Sequence, residues 1–256
     1  MKRKTIIVTN PDQDDFGTTS KHVREHAVDE TYRYEHGWAW RAVSWVLYYV
    51  LAPIPMWVIS RIYGMRLVNR SSIARAGGCY IYGTHTHFAD VFIPYLLAFP
   101  KRAWIVAGPT AVSVPVVKHI VAMLGAVPLN TTVRGKANFR ACLSRAVDRG
   151  GVVAIFPEEH EWPYYTGIRD FPPYSFTYPV RTSAPVIAYA VTYRKRRWLT
   201  HRPPHLTVTV SDPIEPARWQ GADDPKQTLR DAVHAFMTDT VRRQGSYEWI
   251  HYELEA

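Results

Sequence analysis

Cysteine is nearly absent: Cys79 and Cys142 are the only two in 256 residues. That is too few for a disulfide framework, and both stand in apolar runs (GGCYIYG and FRACLSRA) where a thiol serves as a packing group. A reducing, cytosol-facing setting follows. The start, MKRKTIIVTN, holds only the short apolar run Ile6-Ile7-Val8, too short for the core of a secretory signal, so no export is expected. No internal repeat recurs. Signatures of nucleotide binding and serine hydrolysis are missing too. There is no G-x-S-x-G elbow and no G-x-G-x-x-G after a strand, and Gly135-Lys136 has Asn130 and Ala137 where a phosphate-binding loop needs Gly and Ser or Thr. Acidic residues vanish between Glu35 and Asp90.

What is present is a chain 47% hydrophobic and 13% aromatic, enough for one medium-sized globular domain plus a modest appendage. Lys and Arg outnumber Asp and Glu 31 to 22, a formal charge of +9. Such a surface attracts anions, whether nucleic acid, acidic lipid, a phosphorylated substrate or an acidic carrier protein. Residues 1–36 are polar, without sustained periodicity, and are expected to form a loosely held arm with little chemistry.

Residues 42–60, AVSWVLYYVLAPIPMWVIS, contain no charge. Nineteen residues approach the roughly 20 that span a bilayer, yet Pro53 and Pro55 should break one helix at its middle. A membrane-associated helical hairpin over 37–63 is expected, with Trp38, Trp40, Trp45 and Trp57 in the headgroup zone beside Arg41, Arg61, Arg66, Arg70 and Arg75. The competing reading is a pair of core helices in a soluble protein.

From residue 64 to 256 the pattern alternates. Strands are expected at 79–85, 103–108, 126–130, 152–158, 185–193 and 205–214, and helices at 114–124, 136–150 and 226–244. This order predicts an α/β domain, a largely parallel sheet flanked by helices.

In such sheets working groups gather at the carboxyl ends of strands. One strand delivers His85, with Asp90 five residues on. Five residues turn about 140° around a helix, so the two meet only across a turn. There the carboxylate would hold one imidazole nitrogen while the other takes a proton from a hydroxyl. A second strand ends in Phe156-Pro157-Glu158 at the same edge. His85 and His87 form an H-x-H pair that, with His160 and Glu158, could instead ligate a metal. Simple hydrogen bonding in a packed turn is the third reading. The basic run Arg194-Lys195-Arg196-Arg197, beside Tyr193 and Trp198, fits acidic lipid, an acidic carrier or a solvated loop at least as well as nucleic acid.

The order His85-x4-Asp90, Gly125-Ala126-Val127-Pro128-Leu129, Phe156-Pro157-Glu158 and Pro185-Val186-Ile187 resembles the four blocks of the glycerolipid acyltransferases of the 1-acylglycerol-3-phosphate (lysophosphatidic acid) type. The resemblance covers about residues 40 to 215. It implies transfer of a fatty acyl group from a thioester, on coenzyme A or acyl carrier protein, to a lysoglycerolipid hydroxyl, with His85 as base and Asp90 holding it. It implies no metal, no cofactor beyond the acyl donor, no nucleic acid, and a place at the cytoplasmic face of a membrane. The chain departs in the third block, where Glu159-His160-Glu161 replaces the usual Gly-Thr-Arg, and at Asn130 or Thr131, where an arginine is usual. An acceptor phosphate still needs cations, so Lys136, Arg140, Arg134 and Arg169 are the expected substitutes, with Glu158 also binding acceptor or fixing a cation. Without them the acceptor would be another lysophospholipid, a glycolipid or another lipid alcohol. A non-catalytic lipid- or carrier-binding protein and a metal-dependent hydrolase are the alternatives.

Overall fold

The computed structural model describes residues 4–11, 13–17, 28, 30–108 and 117–255. In chain order it runs β1 (Lys4–Val8), α1 (Trp38–Val46), a π-helical turn (Leu47–Leu51), α2 (Pro53–Ile62), β2 (Arg66–Val68), α3 (Ser71–Arg75) and β3 (Cys79–Gly83). A 3-10 turn (Phe88–Phe92) leads into α4 (Ile93–Ala98), then β4 (Ala103–Ala107), α5 (Val117–Met123), β5 (Ala126–Pro128), α6 (Val133–Asp148) and β6 (Val152–Ile155). The chain continues through α7 (Thr177–Thr182), β7 (Val186–Arg194), β8 (His205–Val210), α8 (Pro225–Gln244) and β9 (Ile250–Leu254). Residues 114–116 of the helix expected over 114–124 lie outside the described residues.

Seven strands form one sheet in the order β2-β8-β7-β3-β6-β4-β5, and every neighbouring pair is parallel except β7 with β8. The α/β expectation holds. β3 and β6 are buried along their whole length, as central parallel strands covered on both faces must be. Alternation divides β3 between two cores: Tyr80 and Tyr82 meet Phe139 and Leu143 of α6 and the Val233 and Met237 side of α8, while Cys79 and Ile81 meet Ile93 and Leu97 of α4. Thr132 caps α6, accepting from the Gly135 N–H at 3.0 Å, and Asp224 caps α8.

Two expectations are corrected. The polar arm contributes a strand: β1 pairs in parallel with β9, from Lys4 opposite Ile250 to Val8 opposite Leu254. The hairpin is instead one continuous helix, Trp38–Ile62, of 25 residues, with an 18-residue stretch of mean hydropathy 1.7, long and apolar enough to cross a membrane. Pro53 and Pro55 lack the N–H that a regular helix needs and crowd the preceding turn. The π turn ahead of them opens the ladder: Ala52 N–H reaches the Leu47 carbonyl at 2.8 Å, and regular spacing resumes with Met56 N–H to Ala52 at 3.1 Å.

A core-helix reading fails on exposure. The buried residues of this helix, Ser44, Tyr48, Ala52 and Met56, fall four apart on one stripe that packs toward Tyr95. Ser44 Oγ donates to the Met123 carbonyl at 2.7 Å, and Tyr48 Oη accepts the Ala103 N–H at 2.8 Å. Trp45, Leu51, Ile54, Trp57 and Ile62 face outward, Ile54 at 68% of full exposure.

Candidate active site

The register of β3 on β6 sets Tyr82 opposite Ile155, so His85 and Glu158, each three residues further, leave the sheet side by side. Gly83 is required there, because a Cβ would fall 1.9 Å from the Tyr189 ring. Thr84 is buried and its Oγ1 accepts the Val191 N–H at 3.1 Å, closing the end of the β3–β7 ladder.

The turn that joins His85 to Asp90 is built by the carboxylate itself. Asp90 Oδ2 accepts the N–H groups of Thr86 and His87 at 2.6 and 2.8 Å and lies 3.4 Å from His85 Nδ1. Asp90 is wholly buried, whereas the His85 side chain keeps 18% exposure and stacks on Phe156 with centroids 4.6 Å apart. Burial is the largest influence on His85 and favours neutral imidazole. The Asp90 hydrogen bond and the charges of Asp90, Glu161 and Glu158 together outweigh it, so its pKa rises above the ordinary value.

His87 does other work. Its Nδ1 accepts the Ala89 N–H at 2.8 Å, completing a reciprocal cap with Asp90, and its ring meets Tyr63 and Tyr164 edge-on. Burial lowers its pKa. Among the described residues no group of three His, Cys, Asp or Glu side chains is placed to hold a metal.

Glu158 is engaged within the fold. Its buried carboxylate accepts the His85 N–H at 3.0 Å and the Arg169 N–H at 3.2 Å, and pairs with the Arg169 guanidinium at 3.4 Å. Arg169, whose side chain is 9% exposed, also donates to the His160 carbonyl and lies over the Trp162 ring. It lines a cavity of about 650 Å³ with Trp162, Tyr165 and Tyr252, which does not contain His85.

His85 lines a different cavity of about 560 Å³, walled by Val91, Ile105, Val106, Leu129, Phe156 and Tyr178. Its charged lining among the described residues is acidic: Asp15, Glu159 and Glu161, with no Lys or Arg. The expected cations are elsewhere. α6 buries Gly135, Phe139 and Leu143, so Arg134 and Lys136 point to solvent. Arg140 is half-buried and acts on the wall only at a distance: burial raises the Tyr178 phenol, which the Arg140 charge partly opposes.

Of this acidic wall, Glu159 and Glu161 belong to the altered third block, and Asp15 joins them from the N-terminal segment. Glu161 is raised to about 7, first by burial and then by Asp90 and Asp15, with His85 acting in the opposite direction. Asp15 arrives through the N-terminal segment, where Asp15 Oδ1 accepts the Glu161 N–H at 3.3 Å, Phe16 N–H donates to the Glu161 carbonyl at 3.0 Å, and Trp162 Nε1 donates to the Asp14 carbonyl at 2.8 Å. The sequence signal for this wall was the departure Glu159-His160-Glu161 from the usual third block.

Residues 64–188 match the family model Acyltransferase. No curated protein matches the chain by sequence. Among solved structures the chain is similar to the 1-acyl-sn-glycerophosphate (LPA) acyltransferase, PlsC, from Thermotoga maritima, with a TM-score of 0.54 and 14% identity over 82% of this chain and 95% of that one. At that identity the likeness establishes the fold.

Proposed function

Because residues 64–188 match the Acyltransferase family model and the chain is similar in fold to a lysophosphatidic acid acyltransferase, we propose that the chain moves a fatty acyl group from a thioester to the hydroxyl of a lysophospholipid. The observation that carries this reading is the His85 Nδ1 to Asp90 Oδ2 contact at the wall of a mostly apolar cavity. Asp90 fixes the ring so that Nε2 takes the acceptor proton while the oxygen attacks the thioester carbonyl. The tetrahedral adduct collapses, the C–S bond breaks, and the thiolate recovers the proton from His85. Ester and free thiol are the products. Such a base contributes about 10²–10⁴-fold, and positioning of two amphiphiles supplies more. The donor is acyl-coenzyme A or acyl carrier protein, and the Trp38–Ile62 helix associates with the membrane at its cytoplasmic face.

The acceptor expected from the resemblance, 1-acylglycerol-3-phosphate, carries its phosphate monoester within a few bonds of the reacting hydroxyl. Asp15, Glu159 and Glu161 would repel it there. This wall favours a lysophospholipid of no net charge, such as one with a phosphodiester-linked amine. Supplying acyl thioester with lysophospholipids matched in chain but differing in headgroup, and weighing the products by mass spectrometry, tests both statements. No transfer to any acceptor overturns the enzymatic reading in favour of a lipid- or carrier-binding role. Transfer to the phosphate monoester above all others overturns only the headgroup assignment.

A further inference from the structure

The connection from β7 to β8, residues 195–204, holds Trp198 and Leu199 out to solvent at 85% and 52% of full exposure. Lys195, Arg197 and Arg202 flank them, and no Asp or Glu occurs from 171 through 211. Leu199 has φ 57°, a left-handed conformation that a leucine adopts at a cost. No packing within the fold rewards that conformation with burial.

One arginine of the loop and one at the end of β7 hold this corner to the end of the apolar helix and the residues just after it. Arg196 donates through Nη2 to the Ile62 carbonyl at 2.8 Å and through Nε to Pro203 at 2.6 Å. Arg194 donates through Nη2 to the Gly64 carbonyl at 2.8 Å and to Leu206 at 3.2 Å. The exposed indole is therefore held beside the helix end, where Ile62 is outward-facing and Arg61 lies over the Trp57 ring at 5.6 Å. One scattered surface tryptophan needs no explanation. An exposed Trp-Leu pair, ringed by cations and fastened to a helix with an outward apolar face, forms one continuous amphipathic surface.

We propose that the 195–204 loop is a second membrane-docking element, seating Trp198 and Leu199 among the headgroups of an anionic bilayer alongside the end of the Trp38–Ile62 helix. The proposal rests on the membrane-associated reading and adds to it the loop and the lipid charge. Indoles favour the headgroup zone, and Lys and Arg near an acidic lipid surface add attraction that salt screens. With two contacts, the helix and the loop, the rotational setting of the domain on the membrane is fixed.

The test is partition of the full chain onto phosphatidylcholine vesicles with and without phosphatidylglycerol, for the wild type, for Trp198→Ser with Leu199→Ser, and for Lys195→Gln with Arg197→Gln. The apolar double variant should bind anionic vesicles about tenfold more weakly, and the charge variant should lose about as much on anionic vesicles only. Both should acylate a short-chain, detergent-dispersed acceptor at the wild-type rate, because none of the four residues lines the His85 cavity. Variants that partition like the wild type overturn the loop assignment alone. So does unchanged vesicle binding with weakened affinity for soluble acyl carrier protein, which would make the loop a carrier dock. A wild type that binds no vesicle overturns this proposal and the membrane reading together.

Discussion

Glu158 accepts the backbone N–H of His85 at 3.0 Å, so the carboxylate at the end of one strand fixes the main chain of the base at the end of its neighbour. In the proposed mechanism this contact makes Glu158 a positioning residue, with proton handling assigned to His85 and Asp90.

Loss of either member of that pair should stop turnover. His85→Ala and Asp90→Asn are each expected to lower kcat by about 10²–10⁴, and the double variant should be no worse than His85→Ala, since the two act as one unit. His87→Ala should cost mainly the cap on the Phe88–Phe92 turn, about 1 kcal/mol of stability. Steady-state kinetics with thermal unfolding reads both, and a His87 variant as inactive as the His85 variant would sink the assignment.

Glu158→Gln removes the counter-charge of a guanidinium whose side chain is only 9% exposed. We expect a stability loss of about 2–4 kcal/mol in denaturant unfolding, partly recovered when Arg169→Met is added, with activity falling less than in His85→Ala. Full inactivation of a stably folded Glu158→Gln would show that the carboxylate acts on substrate.

The base must be neutral to accept a proton, and its pKa is raised. The acid limb of kcat/KM should therefore lie above the pH at which a free histidine titrates. Glu161 is one of the charges that raise it, alongside Asp90 and Glu158, so Glu161→Gln should move that limb to lower pH. A limb that stays in place or moves upward contradicts the placement of Glu161 against His85.

Acceptor charge can be probed from both directions. Arg134→Gln and Lys136→Gln should leave the acceptor KM unchanged, because both side chains point away from the His85 cavity. Glu161→Gln should improve the use of a phosphate-monoester acceptor relative to a zwitterionic one by about fivefold, the effect of relieving roughly 1 kcal/mol of like-charge repulsion. A raised KM in the Arg134 or Lys136 variants would return the phosphate site to α6.

The sheet was legible because its central strands are unbroken apolar runs, and His85, Asp90 and Glu158 were legible because each follows such a run by a few residues. The cations were misplaced through helix phase. Capped at Thr132, α6 begins at Val133, and with Gly135 and Phe139 inward the exposed Arg134 and Lys136 on either side of Gly135 have no route to the cavity. Asp15 meets Glu161 across 146 positions of chain, a distance over which local pattern carries no information. The third-block departure was visible, and with it the repulsion of an acceptor phosphate by Glu159 and Glu161; packing adds that the Glu161 charge also acts on His85. Likewise, two prolines in an apolar run announce an irregularity without saying whether the chain reverses or widens.

That widening also works as a phase corrector. Positions four apart on a regular helix drift by about 40°, so a seam running through Ser44, Tyr48, Ala52 and Met56 would swing by about 120° and roll off its seat. A turn that closes five residues back, as Ala52 does on Leu47, takes up angular slack midway and returns the trailing half to the same seam. Excising one residue from Leu47–Leu51 should thus close the wide turn into a regular ladder and leave α2 seated, since the remaining steps from Ser44 to Met56 return to within about 20° of the same face.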